Sequence, residues 1–138
     1  MAPDDDHGPR WRVLYDADCG FCRCSLALLL ALDRARHLLP VALGTPLAAR
    51  LLRDLDEQQR AASWHLVDPE GARSSAGAAL ADLLALLPGG RLPAALLRRF
   101  PAATERGYRW VADHRGPLGR ALPESAKRRA TARIARRS

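Results

Sequence analysis

Aromatic residues are scarce in this chain: two Phe, two Tyr and three Trp among 138 residues, 5 % of the total. Its core must therefore be largely aliphatic, built from Leu, Val and Ala. No run of 18 or more apolar residues occurs, which excludes a membrane-spanning helix. The opening MAPDDDHGPR is acidic and has no apolar segment, unlike a secretory leader. Residues 1–9 are expected to be disordered and the protein cytoplasmic. Internal repeats and long low-complexity linkers are absent, and the length suits one domain with a real core. Cysteine is rare too. All three lie between Cys19 and Cys24, and in a reducing compartment such clustering points to catalysis or metal rather than to a disulfide scaffold.

Acidic charge is missing from one region. Residues 1–90 carry 9 Lys and Arg against 12 Asp and Glu, residues 91–126 carry 7 against 3, and residues 127–138 carry 6 against none. The formal net charge of +7 thus resides in the C-terminal third. The tail KRRATARIARRS reads as a solvated, disordered or frayed helix, dispensable for chemistry. A contact with nucleic acid or an anionic lipid surface is the alternative.

What is present is an ordered alternation of elements. WRVLY, residues 11–15, reads as a strand, and DADCG breaks it. The Leu- and Ala-rich segment from Gly20 to about Arg36 is a helix. HLLPVAL, residues 37–43, reads as a second strand, with Pro40 placing it at a sheet edge. Thr45 followed by Pro46 starts a helix to about Leu55, and DEQQRAA links onward. SWHLV, residues 63–67, is a third strand. DPEG turns the chain into a short fourth strand over 72–74. Ser75 is expected to cap a helix over 76–87, with helices from Pro93 to Phe100 and from Ala102 to His114. RGPLGRALPES is expected to be loop. The order β-α-β-α-β-β-α predicts a parallel first crossover and an antiparallel hairpin in a small mixed sheet with helices on its faces.

Cys19-Gly20-Phe21-Cys22 stands where the first strand turns into the first helix. On a helix, three residues advance the chain so that Cys19 and Cys22 lie about 60° apart, close enough to close a short disulfide. At the helix start, unpaired N–H groups and the helix dipole favour a thiolate. A C-x-x-C near a β-α-β pattern reads as a redox motif. Zinc is the competing reading, but a structural zinc site takes four ligands, only one C-x-x-C exists, and His37, His65 and His114 are distant in sequence. Haem attachment of the c type needs histidine after the second cysteine, and Arg23 stands there. Cys24, about 200° round the helix from Cys22, is expected to be a bystander.

VLYDADCGFCRCSLALLLALDR resembles the DCC family of thiol-disulfide oxidoreductases, a thioredoxin-like group whose hallmark is an apolar strand ending in aromatic-Asp and then x-x-Cys-x-x-Cys. Tyr15, Asp16, Cys19 and Cys22 match it. Asp33-Arg34, LPVAL, VDPEGARSSAGAAL and YRWVADHRGPLG are similar to later parts of the family, so the resemblance covers roughly residues 11–122. Two departures stand out. Gly44 follows the second strand where the family commonly has a polar residue, and RAASWHLV lacks the proline that thioredoxin-like proteins often place before the third strand. The resemblance implies an α/β, thioredoxin-like fold over residues 10–122: a small mixed four-stranded sheet flanked by helices, with extra C-terminal helices. Residues 123–138 would form the basic tail.

The expected activity is thiol-disulfide exchange with protein or small-molecule disulfides, recycled by an external thiol reductant, with no bound cofactor and no metal. The alternative is a thioredoxin-like binding, redox-sensing or metal-sensing module without turnover. Cys19 is the expected nucleophile and Cys22 the resolving thiol. Asp16 is a candidate for orienting the dithiol or moving its proton, against a plain turn role, which is the reading for Asp18. Gly20 and Phe21 are candidates for substrate contact. Arg23 would stabilise a thiolate or simply be solvated. Trp64 and His65 should point to opposite faces of the third strand. Tyr108 and Trp110 should pack the last helix on the body.

Overall fold

Val13, Leu14 and Tyr15 are all buried, so the first strand has cover on both faces and must lie inside a sheet. The computed structural model, which describes residues 10–137, puts it there. The elements run β1 (Trp11–Tyr15), α1 (Gly20–Leu32), β2 (Leu38–Ala42), α2 (Pro46–Leu51), α3 (Glu57–Ala62), β3 (His65–Val67), β4 (Arg73–Ser75), α4 (Ala76–Leu86), α5 (Arg91–Arg99), α6 (Pro101–Asp113), α7 (Arg115–Ala121) and α8 (Glu124–Arg137). The sheet order is β2-β1-β3-β4. β1 pairs parallel with β2 and antiparallel with β3, and β3 pairs antiparallel with β4. This is the expected mixed four-stranded, thioredoxin-like sheet flanked by helices. Pro40 sits in an edge strand, where its missing N–H is tolerated. The segment 1–9 expected to be disordered lies outside the described residues.

Alternation along β1 sends its side chains to two cores. Val13 and Tyr15, with Leu66, pack against Leu26 and Leu30 of α1, Ala79 and Leu83 of α4, and Ile134 of α8. Leu14, with Val41 and Val67, packs against Ala48 and Leu52 beneath the other face. Among the described residues no helix is long and apolar enough to cross a membrane.

Local chemistry moves several boundaries. The first helix ends at Leu32, because Asp33 caps it and its carboxylate then accepts the N–H groups of His37 (3.1 Å) and Leu38 (2.8 Å), starting β2. The expected linker DEQQRAA contains α3, held by a capping box: Asp56 accepts the Gln59 N–H at 2.8 Å, and the Gln59 side chain accepts the Asp56 N–H at 3.0 Å. Ser75 does not cap α4; its hydroxyl is drawn to His65 Nδ1 at 2.6 Å. The segment expected to be loop after His114 contains α7.

The largest correction is the tail. It is neither solvated nor frayed: α8 lies along α1 with Ala130 and Ile134 buried. Arg137 donates to the Leu30 carbonyl (3.0 Å) and to the carboxylate of Asp33 (2.8 Å), whose side chain is 0 % exposed. Arg23 of α1 donates to Thr131 at 3.1 Å. A segment with a core residue and a buried ion pair belongs to the folded body.

Candidate functional site

The end of β1 and the start of α1 are joined by a turn that Asp16 organises. Its carboxylate accepts the Asp18 N–H (2.9 Å) and its carbonyl accepts the Cys19 N–H (3.3 Å). Cys19 is the residue that caps α1. It has extended backbone, its carbonyl accepts the first helical N–H from Arg23 (3.0 Å), and its sulfur accepts the Cys22 N–H at 3.3 Å. A cysteine thus takes the place that Ser or Asp normally holds, and its half-buried sulfur faces the positive end of the helix.

Cys22, one turn further on, is buried. Burial first, and then its hydrogen bond to the Cys19 sulfur, push its thiol well above the usual range, to about 12. The Trp64 indole N–H donates to the Cys22 sulfur, and the positive charge of Arg115 also acts on it; both pull the other way but are outweighed. The pair is therefore asymmetric: a half-buried Cys19 whose sulfur accepts a helix N–H, and a buried Cys22 thiol that holds its proton. Such a pair can carry out thiol-disulfide exchange, with Cys22 positioned to close on Cys19.

Around the pair, Tyr108 is half-buried on α6 and accepts the Trp64 N–H at 2.9 Å. Its hydroxyl is also raised, mainly by burial. Phe21, Cys22 and Ser25 line one wall of an apolar groove of about 640 Å³ between α1, α4, α5 and α6. Cys24 is half-buried and does not line it. Two C-terminal helices close over the start of α1. A Cβ on Gly119 would lie 3.1 Å from the Phe21 nitrogen, so glycine allows α7 to approach, and Lys127 of α8 lies across Gly20.

The other expected residues separate. Trp64 and His65 do diverge. Trp64 turns to the dithiol, while the ring of His65, buried on β3, meets Ser75 and the Arg60 carbonyl (3.1 Å). The His114 ring is held by the Trp110 carbonyl (2.7 Å) and stacks on Trp110. Neither histidine is brought to the cysteines. No group of three or more His, Cys, Asp or Glu that could hold a metal occurs among the described residues. Tyr108 packs as expected, but Trp110 is 59 % exposed and stacks on its own helix end instead. Sequence reasoning missed the Trp64–Cys22 hydrogen bond, Arg115, Gly119 and Lys127. Only Trp64 had a usable signal, its place just before a strand that follows α1 and β2 in a β-α-β fold.

Among comparisons with known proteins, the family model described as DCC1-like thiol-disulfide oxidoreductase matches residues 13–121. No curated protein and no solved structure matches the chain.

Proposed function

The chain belongs to the DCC1-like thiol-disulfide oxidoreductase family, and from that premise we propose that Cys19 and Cys22 form a dithiol that reduces or exchanges protein or small-molecule disulfides. The Cys19 thiolate attacks one sulfur of the substrate. The substrate S–S bond breaks, a mixed disulfide forms, and the leaving thiolate takes up a proton. Cys22 then loses its proton and attacks Cys19, which releases the second substrate thiol and leaves a Cys19–Cys22 bridge. Two electrons pass from the enzyme to the substrate, and an external dithiol or thiol returns them. A reducing, cytoplasmic setting is part of this proposal.

One observation carries the reading. Cys19 is the N-cap of α1, and Cys22 is buried beneath it with a raised pKa. Two of the influences that hold the Cys22 proton, the hydrogen bond to Cys19 and its negative charge, vanish once Cys19 is tied up in a mixed disulfide. Trp64 and Arg115, which favour the Cys22 thiolate, remain. Burial, the largest influence, still holds the proton, so the resolving thiol is eased rather than freed when its target forms. Gly20 and Phe21 lie between the two sulfurs at the helix start and are proposed to meet the substrate. Asp16 is proposed to position Cys19 through the turn.

Incubation with a mixed-disulfide-forming substrate tests the roles. Cys22→Ser should accumulate a covalent adduct on Cys19, because the resolving thiol is gone, and Cys19→Ser should accumulate little. Adducts mainly on Cys22 in Cys19→Ser, with none on Cys19 in Cys22→Ser, would reverse the assignment. Absence of turnover in the intact protein, despite a Cys19–Cys22 disulfide that forms and is reduced reversibly, would favour a redox sensor.

A further inference from the structure

The groove beside Cys22 is the feature of this molecule that the exchange chemistry does not use. It is bounded by Phe21 and Leu28 of α1, Leu96 of α5, Val111 of α6, and Phe100 between α5 and α6. Four of these stand open: Leu28 is 62 % exposed, Leu96 59 %, Phe100 54 % and Val111 36 %. Large apolar side chains converging on one concavity beside a reactive group mark a binding site rather than ordinary surface. The volume of about 640 Å³ lies in the range of small-molecule pockets, about 300–1,000 Å³.

The polar atoms of the lining say what kind of molecule fits. The Thr104 hydroxyl donates to the Leu97 carbonyl (2.9 Å), Tyr108 accepts the Trp64 N–H (2.9 Å), and Arg115 donates to the Ala61 carbonyl (3.0 Å). Apart from Trp64 and Phe100 the walls are helices, whose amides beyond the first turns of α1, α6 and α7 are bonded within the helix, and none of the described strands lines the groove. A polypeptide laid there would bury amides against apolar walls with few partners to meet them, which is costly. An aliphatic body has no such groups to satisfy. Among the described residues Arg115, a cation, is the one charged side chain in the lining, so a cationic occupant is disfavoured.

Resting on the dithiol reading above, we propose that the groove between α1, α4, α5 and α6 is the substrate subsite, and that its occupant is the aliphatic body of a small-molecule disulfide, presented to the Cys19–Cys22 pair from the end of the groove that Cys22 lines. The reaction is enzyme dithiol plus cyclic disulfide giving enzyme disulfide plus substrate dithiol. Both substrate sulfurs gain a hydrogen, and the electrons come from Cys19 and Cys22. A dithiol reductant such as dithiothreitol returns the enzyme to its starting state.

Two dithiolanes isolate the aliphatic body. Lipoate and 1,2-dithiolane-3-carboxylate share the ring and the attachment point at C3, and lipoate inserts four methylenes before the carboxylate. Burying those methylenes in the groove should raise kcat/KM for lipoate at least about tenfold over the short acid. Octanoate, which has the chain and no disulfide, should bind the intact protein by calorimetry and compete with lipoate. Gly107 lines the groove, and a Cβ there would meet nothing within 4 Å. Gly107→Leu therefore narrows the groove while improving helix propensity. It should weaken octanoate binding at least about fivefold and bring the two kcat/KM values together, with the circular dichroism spectrum retained. Equal kcat/KM for the two acids in the intact protein, or no octanoate binding, overturns the subsite. Octanoate binding that Gly107→Leu abolishes, without turnover of either dithiolane, overturns the small-molecule disulfide as occupant; the dithiol reading then falls only if the Cys19–Cys22 disulfide also fails to form and be reduced reversibly.

Discussion

Arg137→Met should unfold the protein more readily than any exposed substitution on the same helix. Arg137 is 12 % exposed and Asp33 0 %, and their ion pair spans 2.8 Å. Methionine keeps most of the apolar stem and removes the charge. Asp33 then retains the His37 and Leu38 amides but loses its cation, while the carbonyls of Leu30 and Leu38 lose a donor. Breaking a buried pair on one side costs about 3–5 kcal/mol. With two amides still on the carboxylate, the lower end, about 3 kcal/mol, applies. At a urea m value of about 2 kcal/mol/M, the midpoint should fall by about 1.5 M. Arg133, exposed on α8, is the control, and Arg133→Met should shift stability by no more than about 0.5 kcal/mol. Asp33→Asn added to Arg137→Met removes the stranded charge and should recover part of the loss. If Arg137→Met and Arg133→Met have equal midpoints, α8 does not dock on α1 as described.

The other expectations concern the site and its surroundings. Limiting iodoacetamide between pH 7 and 9 should label Cys19 well ahead of Cys22, whose thiol burial and the Cys19 hydrogen bond hold up to about 12; faster labelling of Cys22, located by peptide mass, would contradict the asymmetry. Asp16→Asn keeps an acceptor for the Asp18 N–H and should retain most turnover with an unchanged pH profile, whereas Asp16→Ala should lose about tenfold through a looser turn; a pH profile altered by Asp16→Asn alone would instead assign Asp16 proton transfer. His65 is held below its ordinary 6.5, chiefly by burial. The unfolded chain therefore binds more protons below that value, and stability should fall as pH drops through about 6.5; urea midpoints that do not decline from pH 7.5 to 5.5, or that decline equally in His65→Gln, would refute this. Cys24→Ala should leave the rate of disulfide exchange within about twofold, measured by thiol release.

The readable parts of this chain were those with local chemistry. WRVLY, the Thr45-Pro46 helix start and the DPEG turn each carry their own signal, and the strands and helices formed close to where those signals lie. Cys19-Gly20-Phe21-Cys22 was readable because its spacing and its strand–helix junction fall within a few residues. The parts that were not readable depend on distant partners. α8 has an apolar stripe of Ala126, Ala130 and Ile134 at four-residue spacing, too thin to stand out among six basic residues. Its docking is set by Asp33, about a hundred residues earlier. Ser75 looked like a helix cap in isolation, but buried His65 needed its hydroxyl more. Gly119 had no local reason to be glycine, and the reason is the Phe21 backbone against which it packs. The indole of Trp64 meets Cys22 only because β3 lies beside β1.

The central claim is a reversible two-electron couple confined to Cys19 and Cys22, and a redox titration with mass-spectrometric thiol counting tests it most directly. Trypsin cleaves after Arg12 and Arg23, so Cys19 and Cys22 share the peptide Val13–Arg23, and Cys24 begins the next. The account predicts that the oxidised protein loses two free thiols, that the Val13–Arg23 peptide becomes lighter by two hydrogens, that Cys24 stays free throughout, and that the two changes reverse together at one potential. A principal disulfide involving Cys24, or a Val13–Arg23 peptide that never loses its two hydrogens at any potential, would contradict it.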